Sequence, residues 1–300
     1  MKKILIFGSK GNLGTQLVKT FNKDYKIFAL DKEDIDITEK KIVFKKVDEI
    51  KPDIIINATA YNAVDKCEEN EMEFKLAKKI NGNAVGYLAE AAIKFGVILI
   101  HYSTDYVFDG KKKSGYKENN KQHPINKYGK TKLIGEQEII KRSKQGLKYY
   151  LIRTSKLFGQ KGKSEITKLS FFDLILNLSK EKKEFNMIDK EEISCFTYIL
   201  DLAEMTKKLI ENNANYGIYH IINSEPCSWY EASKFLFKLK NITDAKLNPI
   251  NSSDYPRPAK RPKYSILLNT KLLQMRSWKK ALREYLIITQ NSNVKTQNLS

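Results

Sequence analysis

The chain has 300 residues, 41% of them hydrophobic, enough for one large domain or two modest ones around a sizeable core. Its net charge of +19 invites a nucleic-acid partner, but only six of its 54 basic residues are Arg and the lysines are scattered along the whole length, so no nucleic-acid-reading surface is predicted. No run of about 18 apolar residues argues for a membrane helix, and three widely spaced cysteines, Cys67, Cys195 and Cys227, suggest neither a disulfide framework nor a metal site and fit a reducing cytoplasm.

In chain order, residues 4–7 form a first apolar run. Met1-Lys2-Lys3 ahead of it imitates a leader peptide, but Gly8-Ser9-Lys10-Gly11 cuts the run short, so it reads as a strand. Gly8-Ser9-Lys10-Gly11-Asn12-Leu13-Gly14 follows with G-x-x-G-x-x-G spacing. Gly8 serves a tight turn, Gly11 lets the backbone approach a pyrophosphate, and Gly14 lets helix and strand pack closely. The helix that opens there offers free N–H groups to phosphate. A second strand over 27–30 ends at Asp31, placed to accept from ribose hydroxyls. Further buried strands are predicted over 54–56, 97–100 and 149–152, with a helix over 81–95. This alternation predicts a doubly wound parallel sheet of Rossmann type, with its ligand crevice beyond the carboxyl ends of the strands.

The fourth strand leads into His101-Tyr102-Ser103-Thr104-Asp105-Tyr106, and Tyr128-Gly129-Lys130-Thr131-Lys132 comes two dozen residues later. Tyr128 and Lys132 share one helix face. An ammonium there lowers a phenol's pKa, and such a Tyr can protonate a ketone oxygen as hydride reaches the carbon. Thr104 is the neighbouring hydroxyl. The second Tyr/Lys pair, Tyr230 and Lys234, lacks such a strand end and reads as a solvated helix face. His101 reads as a packed strand-end residue, and His123 and His220 lack partners at ligand spacing, so no metal is expected.

Beyond residue 155 the pattern loosens. Helices are predicted over 170–179, 201–212 and 228–239, the last with Ser228 and Glu231 as a capping box. A strand is predicted over 219–222. Pro256, Pro258 and Pro262 mark a stiff extended crossing, and residues 289–300 read as a frayed polar tail. The expected division is a dinucleotide-binding domain over 1–155 and a smaller, mainly substrate-binding region over 156–288, of which about 197–224 returns to the sheet.

These residues resemble the dTDP-4-dehydrorhamnose reductase family, extended short-chain dehydrogenase/reductases. The likeness is carried by the glycine run, by Ala60-Tyr61-Asn62-Ala63-Val64-Asp65, by Ser103-Thr104-Asp105-Tyr106-Val107-Phe108-Asp109-Gly110, and by Tyr128/Lys132. It continues through Arg153-Thr154-Ser155, Cys227-Ser228-Trp229-Tyr230-Glu231 and Tyr255-Pro256-Arg257-Pro258, so it spans about residues 1–288. The resemblance implies NAD(P)H-dependent reduction of a 4-keto nucleotide sugar, dTDP-4-dehydrorhamnose to dTDP-rhamnose, in cell-surface polysaccharide biosynthesis. It places Gly11, Asn12 and Leu13 along the pyrophosphate, with Gly8 and Gly14 shaping the same cofactor-binding loop, Asp31 at the adenosine ribose, and Asp36 and Ile37 at the adenine. Ala60, Tyr61, Asn62 and Tyr102 line the cofactor cleft, Thr104, Tyr128 and Lys132 do the chemistry, and Thr104 and Asp105 touch the sugar. Asp31 favours NADH over NADPH, with Lys32 as a counterweight.

Two departures lie on the sugar side. Lys156 stands where the family carries Trp, and Ser194-Cys195-Phe196-Thr197 replaces a Gly-Ser/Ala-Pro-Thr stretch. A reductase of a different 4-keto sugar is therefore an alternative. Another is a non-catalytic dinucleotide-binding subunit like the regulatory beta subunit of methionine adenosyltransferase. The oligomeric state is open, a homodimer among the options.

Overall fold

Five apolar runs in the first half, each followed by an amphipathic stretch, set up the strands of the computed structural model, which describes residues 1–165 and 167–297. The first half runs β1 (Lys3–Phe7), α1 (Asn12–Phe21), β2 (Lys26–Leu30), α2 (Lys40–Ile50), β3 (Ile54–Asn57), α3 (Val64–Glu69), α4 (Glu71–Lys78), a π-helical turn (Lys79–Asn83), α5 (Ala84–Phe95), β4 (Ile98–Thr104), α6 (Lys127–Ser143) and β5 (Tyr149–Thr154). The second half adds β6 (Leu157–Phe158), α7 (Phe171–Leu178), β7 (Glu184–Ile188), β8 (Thr197–Tyr198), α8 (Ile199–Glu211), β9 (Gly217–His220), α9 (Trp229–Lys240), β10 (Lys246–Ile250) and α10 (Trp278–Gln297).

Six strands form one parallel sheet in the order β2-β1-β3-β4-β5-β9. Strand alternation splits the core into two layers. Ile4, Ile6, Ile54 and Ile56 face one layer, built with Leu13, Leu17 and Leu202. Leu5, Phe7 and Ile55 face the other, built with Val43, Val47, Leu88 and Ala92. Burial on both faces explains why the strands read as continuous apolar runs. From β1 the chain winds one way to β2 and the other way to β3. At that switch point Gly8 and the segment 58–62 leave the sheet side by side, which opens the crevice that a doubly wound fold offers to ligands.

The second half returns to this sheet through α8, which packs on α1, and through β9, which pairs with β5. A third core gathers Phe158, Phe172, Phe196, Leu236 and Trp278. Around it lie α7, α9, α10 and the two-stranded pairs β7–β10 and β6–β8. These pairs were not predicted: β6 and β8 have two residues each, and β10 holds Pro249, which only an edge or outlying pair tolerates. The predicted helix start at residue 81 falls inside a π turn that joins α4 to α5. The expected fraying after Thr289 is corrected, since α10 continues to Gln297. Neither Gly nor Pro interrupts it, and Trp278, Ala281, Leu282 and Tyr285 bury its first half. Residues 298–300 of the tail lie outside the described residues. Among those described, no helix is long and apolar enough to cross a membrane, and no His/Cys/Asp/Glu group is assembled that could hold a metal ion.

Candidate active site

The glycine run forms a cradle at the end of β1. Gly8 adopts φ +76°, and a Cβ on it would lie 2.8 Å from the Thr59 amide nitrogen. A Cβ on Gly14 would lie 1.9 Å from the Gly8 carbonyl oxygen, so only glycine lets α1 start this close to the strand. Gly11 caps α1 without any side-chain bond, which leaves the first N–H groups of a ten-residue helix, including that of Leu13, for an anion. The cradle therefore fits a dinucleotide pyrophosphate. Asn12 reaches across it: its Oδ1 accepts from the Gly162 N–H (2.7 Å) and its Nδ2 donates to the Lys168 carbonyl (3.1 Å).

Asp31 follows β2, and its carboxylate accepts from the backbone N–H of Lys10 (2.7 Å) and of Lys32 (2.8 Å). The Lys10 ammonium pairs with Glu33 at 3.0 Å. Asp36 accepts from the Thr38 N–H and hydroxyl, while Ile37 is packed into the core. Ala60 and Asn62 are exposed at the crevice mouth. Tyr61 is held between them by Asn81, whose Oδ1 accepts from the Tyr61 N–H and whose Nδ2 donates to the Tyr61 carbonyl, both at 2.9 Å. Nδ2 of Asn81 also donates to Thr131 Oγ1 at 3.0 Å, which ties this loop to α6. Sequence reasoning missed Asn81, because a lone polar residue in a helical run ordinarily faces water. Tyr102 differs from its expected place. Strand alternation buries its ring in the α1/α8 layer, with its hydroxyl 2.9 Å from Thr206 Oγ1, so only its carbonyl faces the catalytic side.

On that side, Asn126 caps α6 by accepting from the Gly129 N–H (2.8 Å), and α6 then carries Tyr128 and Lys132 one turn apart. Thr104 ends β4, its hydroxyl donates to the Asp105 carboxylate at 3.0 Å, and it neighbours the Tyr128 phenol. The structure thus brings Thr104, Tyr128 and Lys132 to one strand end beside the cradle. The expected lowering of the Tyr128 pKa is corrected: burial first, and the Asp105 carboxylate second, hold the phenol above its ordinary range. The Lys132 Nζ is engaged by the neighbouring strand. It donates to the Tyr102 carbonyl at 2.7 Å and lies 3.5 Å from His101 Nε2. Burial lowers Lys132 to about 8. The second Tyr/Lys pair sits on α9, outside this cluster.

One turn beyond Lys132, Glu136 is fully buried against Arg153 of β5. Its Oε1 accepts from Arg153 Nε (2.9 Å) and from Ser103 Oγ (2.5 Å), and its Oε2 accepts from Arg153 Nη2 (2.7 Å). This pair, which the sequence did not single out, locks α6 to β4 and β5.

The wall facing this cluster is built by later elements. Asp105 is buried, takes hydrogen bonds from Thr104 Oγ1 (3.0 Å) and Ser265 Oγ (2.6 Å), and burial raises its carboxyl. Lys156 adopts φ +39° and donates to the Glu192 carbonyl at 2.9 Å. Its ammonium lies 3.8 Å from the Trp229 ring centroid and 4.9 Å from that of Phe196, and burial lowers it to about 8. The Glu192 carboxylate accepts from Trp229 Nε1 (3.1 Å) and pairs with Arg257. Arg261 pairs with Asp65 of α3 through two bonds of 2.7 Å, and the Lys260 carbonyl accepts from Asn126 Nδ2 at 2.8 Å. The Pro256–Pro262 crossing therefore runs over the site, pinned to both halves.

Sheet order, glycine cradle and Tyr128/Lys132 helix together define a protein of the extended short-chain dehydrogenase/reductase fold. The family model described as the RmlD substrate binding domain matches residues 1–291. The chain belongs to that family, the dTDP-4-dehydrorhamnose reductases. It is 37% identical to the dTDP-4-dehydrorhamnose reductase of Aggregatibacter actinomycetemcomitans, over 94% of this chain and 98% of that one. The crystal structure of dTDP-4-dehydrorhamnose reductase from Bacillus anthracis in complex with NADP is similar at a TM-score of 0.87. It shares 36% identity over 96% of this chain and 99% of that one. A dTDP-4-dehydrorhamnose reductase structure from Clostridium acetobutylicum is similar at a TM-score of 0.86, with 38% identity over 96% and 99%.

Proposed function

We propose that the chain reduces the 4-keto group of a dTDP-linked deoxysugar, dTDP-4-dehydrorhamnose to dTDP-rhamnose, using NAD(P)H. The observation that carries this reading is the meeting of Thr104, Tyr128 and Lys132 beside the cradle at the end of β1. A nicotinamide dinucleotide held there supplies the hydride. Tyr128 donates the proton to the ketone oxygen, and the Thr104 hydroxyl holds that oxygen. Above its ordinary pKa range, the Tyr128 phenol is fully protonated near neutrality, which suits a proton donor. Lys132 stays beside it to bind and orient.

Gly8, Gly11, Asn12, Leu13 and Gly14 take the pyrophosphate, Asp31 the adenosine ribose, and Asp36 and Ile37 the adenine. Ala60, Tyr61, Asn62 and the Tyr102 backbone line the cleft. Asp105 and Lys156 meet the sugar. In this division residues 1–155 bind the dinucleotide, and 156–288 mainly bind the sugar, with about 197–224 belonging to the sheet. NADH is preferred to NADPH, because the Asp31 carboxylate opposes a 2′-phosphate.

Lys156 tilts the site toward a more polar sugar than a Trp would. Its ammonium is turned inward onto Trp229 and the Glu192 carbonyl, so it stays within the site and does not snorkel out. The test is NADH and NADPH oxidation with dTDP-4-dehydrorhamnose and with other 4-keto nucleotide sugars. Turnover supports the reading. A protein that binds dinucleotide in a thermal-shift assay and turns over none of them is instead a non-catalytic binding subunit.

A further inference from the structure

Lys132 and His101 face one another in a dry interior, 2% and 0% exposed. Lys132 Nζ donates to the Tyr102 carbonyl, and its next polar neighbour is His101 Nε2 at 3.5 Å. The other ring nitrogen, Nδ1, lies 3.1 Å from Asn57 Nδ2. The orientation of Asn57 is fixed from its far side, where Oδ1 accepts from the Thr59 N–H (3.1 Å) and the Thr59 hydroxyl (2.5 Å). Its amide nitrogen has only protons to offer, so Nδ1 of His101 must accept. Burial holds His101 well below its ordinary pKa, so the ring is neutral and carries one proton. With Nδ1 accepting, that proton sits on Nε2 and points at Lys132.

An ammonium and an imidazole N–H are both donors and cannot bond one another. An amine has a lone pair and can accept from that N–H while still donating to the Tyr102 carbonyl. Two further titratable groups face Lys132, both from α6. Tyr128 lies one turn before it. Glu136 lies one turn after it and favours the ammonium, though its carboxylate is engaged by Arg153 and Ser103. β4 contributes His101 and the Tyr102 carbonyl, and β3 reaches the pair only through uncharged Asn57.

We propose that His101, oriented by Asn57, is a positioning residue that sets the protonation state of Lys132 by donating its Nε2–H to the amine form. The proposal rests on the reductase reading, in which Lys132 works beside Tyr128. Lys132 is charged below its pKa and neutral above it, and His101 holds that pKa down. Removing the imidazole raises it. Asn57→Asp raises it too, because a carboxylate draws the ring proton to Nδ1 and leaves a lone pair on Nε2 for the ammonium.

Two readouts test this. The chain has three histidines, so 15N-imidazole spectra of histidine-labelled protein are assignable by difference with His101→Phe. Wild type should show Nε2 of His101 protonated and Nδ1 bare from about pH 6 to about pH 9, and Asn57→Asp should reverse the two. With saturating dinucleotide and sugar, kcat falls as pH rises through the Lys132 pKa. That fall should move up by about half to one pH unit in both variants, the size of one net hydrogen bond. KM for the dinucleotide should stay unchanged. A bare Nε2 or a charged ring in wild type overturns the proposal, and so does an unmoved pH profile in both variants. If His101→Phe fails to fold, differences with His123→Gln and His220→Gln assign the His101 signals, and the wild-type spectrum and Asn57→Asp still decide. A wild type without turnover sinks the reductase reading alone, and the imidazole spectra still decide the role of His101.

Discussion

Replacing Glu136 with Gln probes the bond between α6 and the sheet. Glu136 and Arg153 have no solvent exposure, so neither can turn to water when its partner changes. The amide keeps one oxygen, which can still accept from Arg153 Nε and Ser103 Oγ. Its NH2 group, however, replaces the oxygen that now accepts from Arg153 Nη2 at 2.7 Å, so two donors meet and a buried guanidinium loses its counter-charge. Stranding one partner of a buried pair costs about 3–5 kcal/mol. The lower end applies here, because the Glu118 carbonyl still holds Arg153 Nη1 at 3.0 Å. We expect about 3 kcal/mol, a large part of the roughly 5–15 kcal/mol that keeps a domain folded. Urea denaturation should show it as a lower midpoint at unchanged slope. Replacing both residues with Met should recover most of the loss, since a well-packed apolar pair is often as stable as a buried ionic one. A loss below about 1 kcal/mol, the size of a surface pair, would refute the reasoning, as would a double variant weaker than the single one. There is a kinetic counterpart. Glu136 favours the charged form of Lys132. Without it the Lys132 pKa drops further below about 8, and the alkaline fall in rate starts at lower pH, opposite in sign to the His101→Phe shift.

Tyr128→Phe should lower kcat about 10²–10⁴-fold with dinucleotide binding kept, and Tyr230→Phe on α9 should remain near wild type; normal turnover by Tyr128→Phe would refute the assignment of the proton donor. Asp31→Ala should erode a preference for NADH, read as the ratio of KM values for NADH and NADPH. A wild type that prefers NADPH, with a ratio the substitution leaves alone, would show that Asp31 does not choose the cofactor. Lys156→Trp should improve turnover of dTDP-4-dehydrorhamnose relative to more polar 4-keto sugars. If wild type already handles dTDP-4-dehydrorhamnose best and the substitution gains nothing, Lys156 leaves sugar choice untouched.

The parallel sheet was legible because β1, β3 and β4 are buried on both faces and so appear as unbroken apolar runs, and because the glycine run announces the turn between β1 and α1. That Thr104, Tyr128 and Lys132 lie together at the end of β4 and the start of α6 was legible through position along the chain. Their electrostatics were not. Spacing puts Lys132 on the same face as Tyr128, but it does not reveal that a strand carbonyl, that of Tyr102, engages its Nζ. Asn81 and the Glu136–Arg153 pair were missed for a related reason, since the value of a buried polar residue lies in partners about 17 to 50 positions distant. The wall around Lys156 was the least legible part. It is assembled from single residues of β5's end, the 192–196 stretch and α9, and no periodicity links them.

The Pro256–Pro262 crossing has a thermodynamic consequence for ligand binding. Each proline removes conformational freedom from the unfolded chain, worth about 0.4–1 kcal/mol where its fixed φ suits the fold. The Arg261–Asp65 and Arg257–Glu192 pairs then fasten the crossing to α3 and to the 192–196 stretch. This stretch is therefore ordered before any ligand arrives, and the entropy of immobilising it is charged to folding. Interactions with the remote parts of a nucleotide sugar then need not order a loop, and their free energy stays available for aligning the ketone with Tyr128.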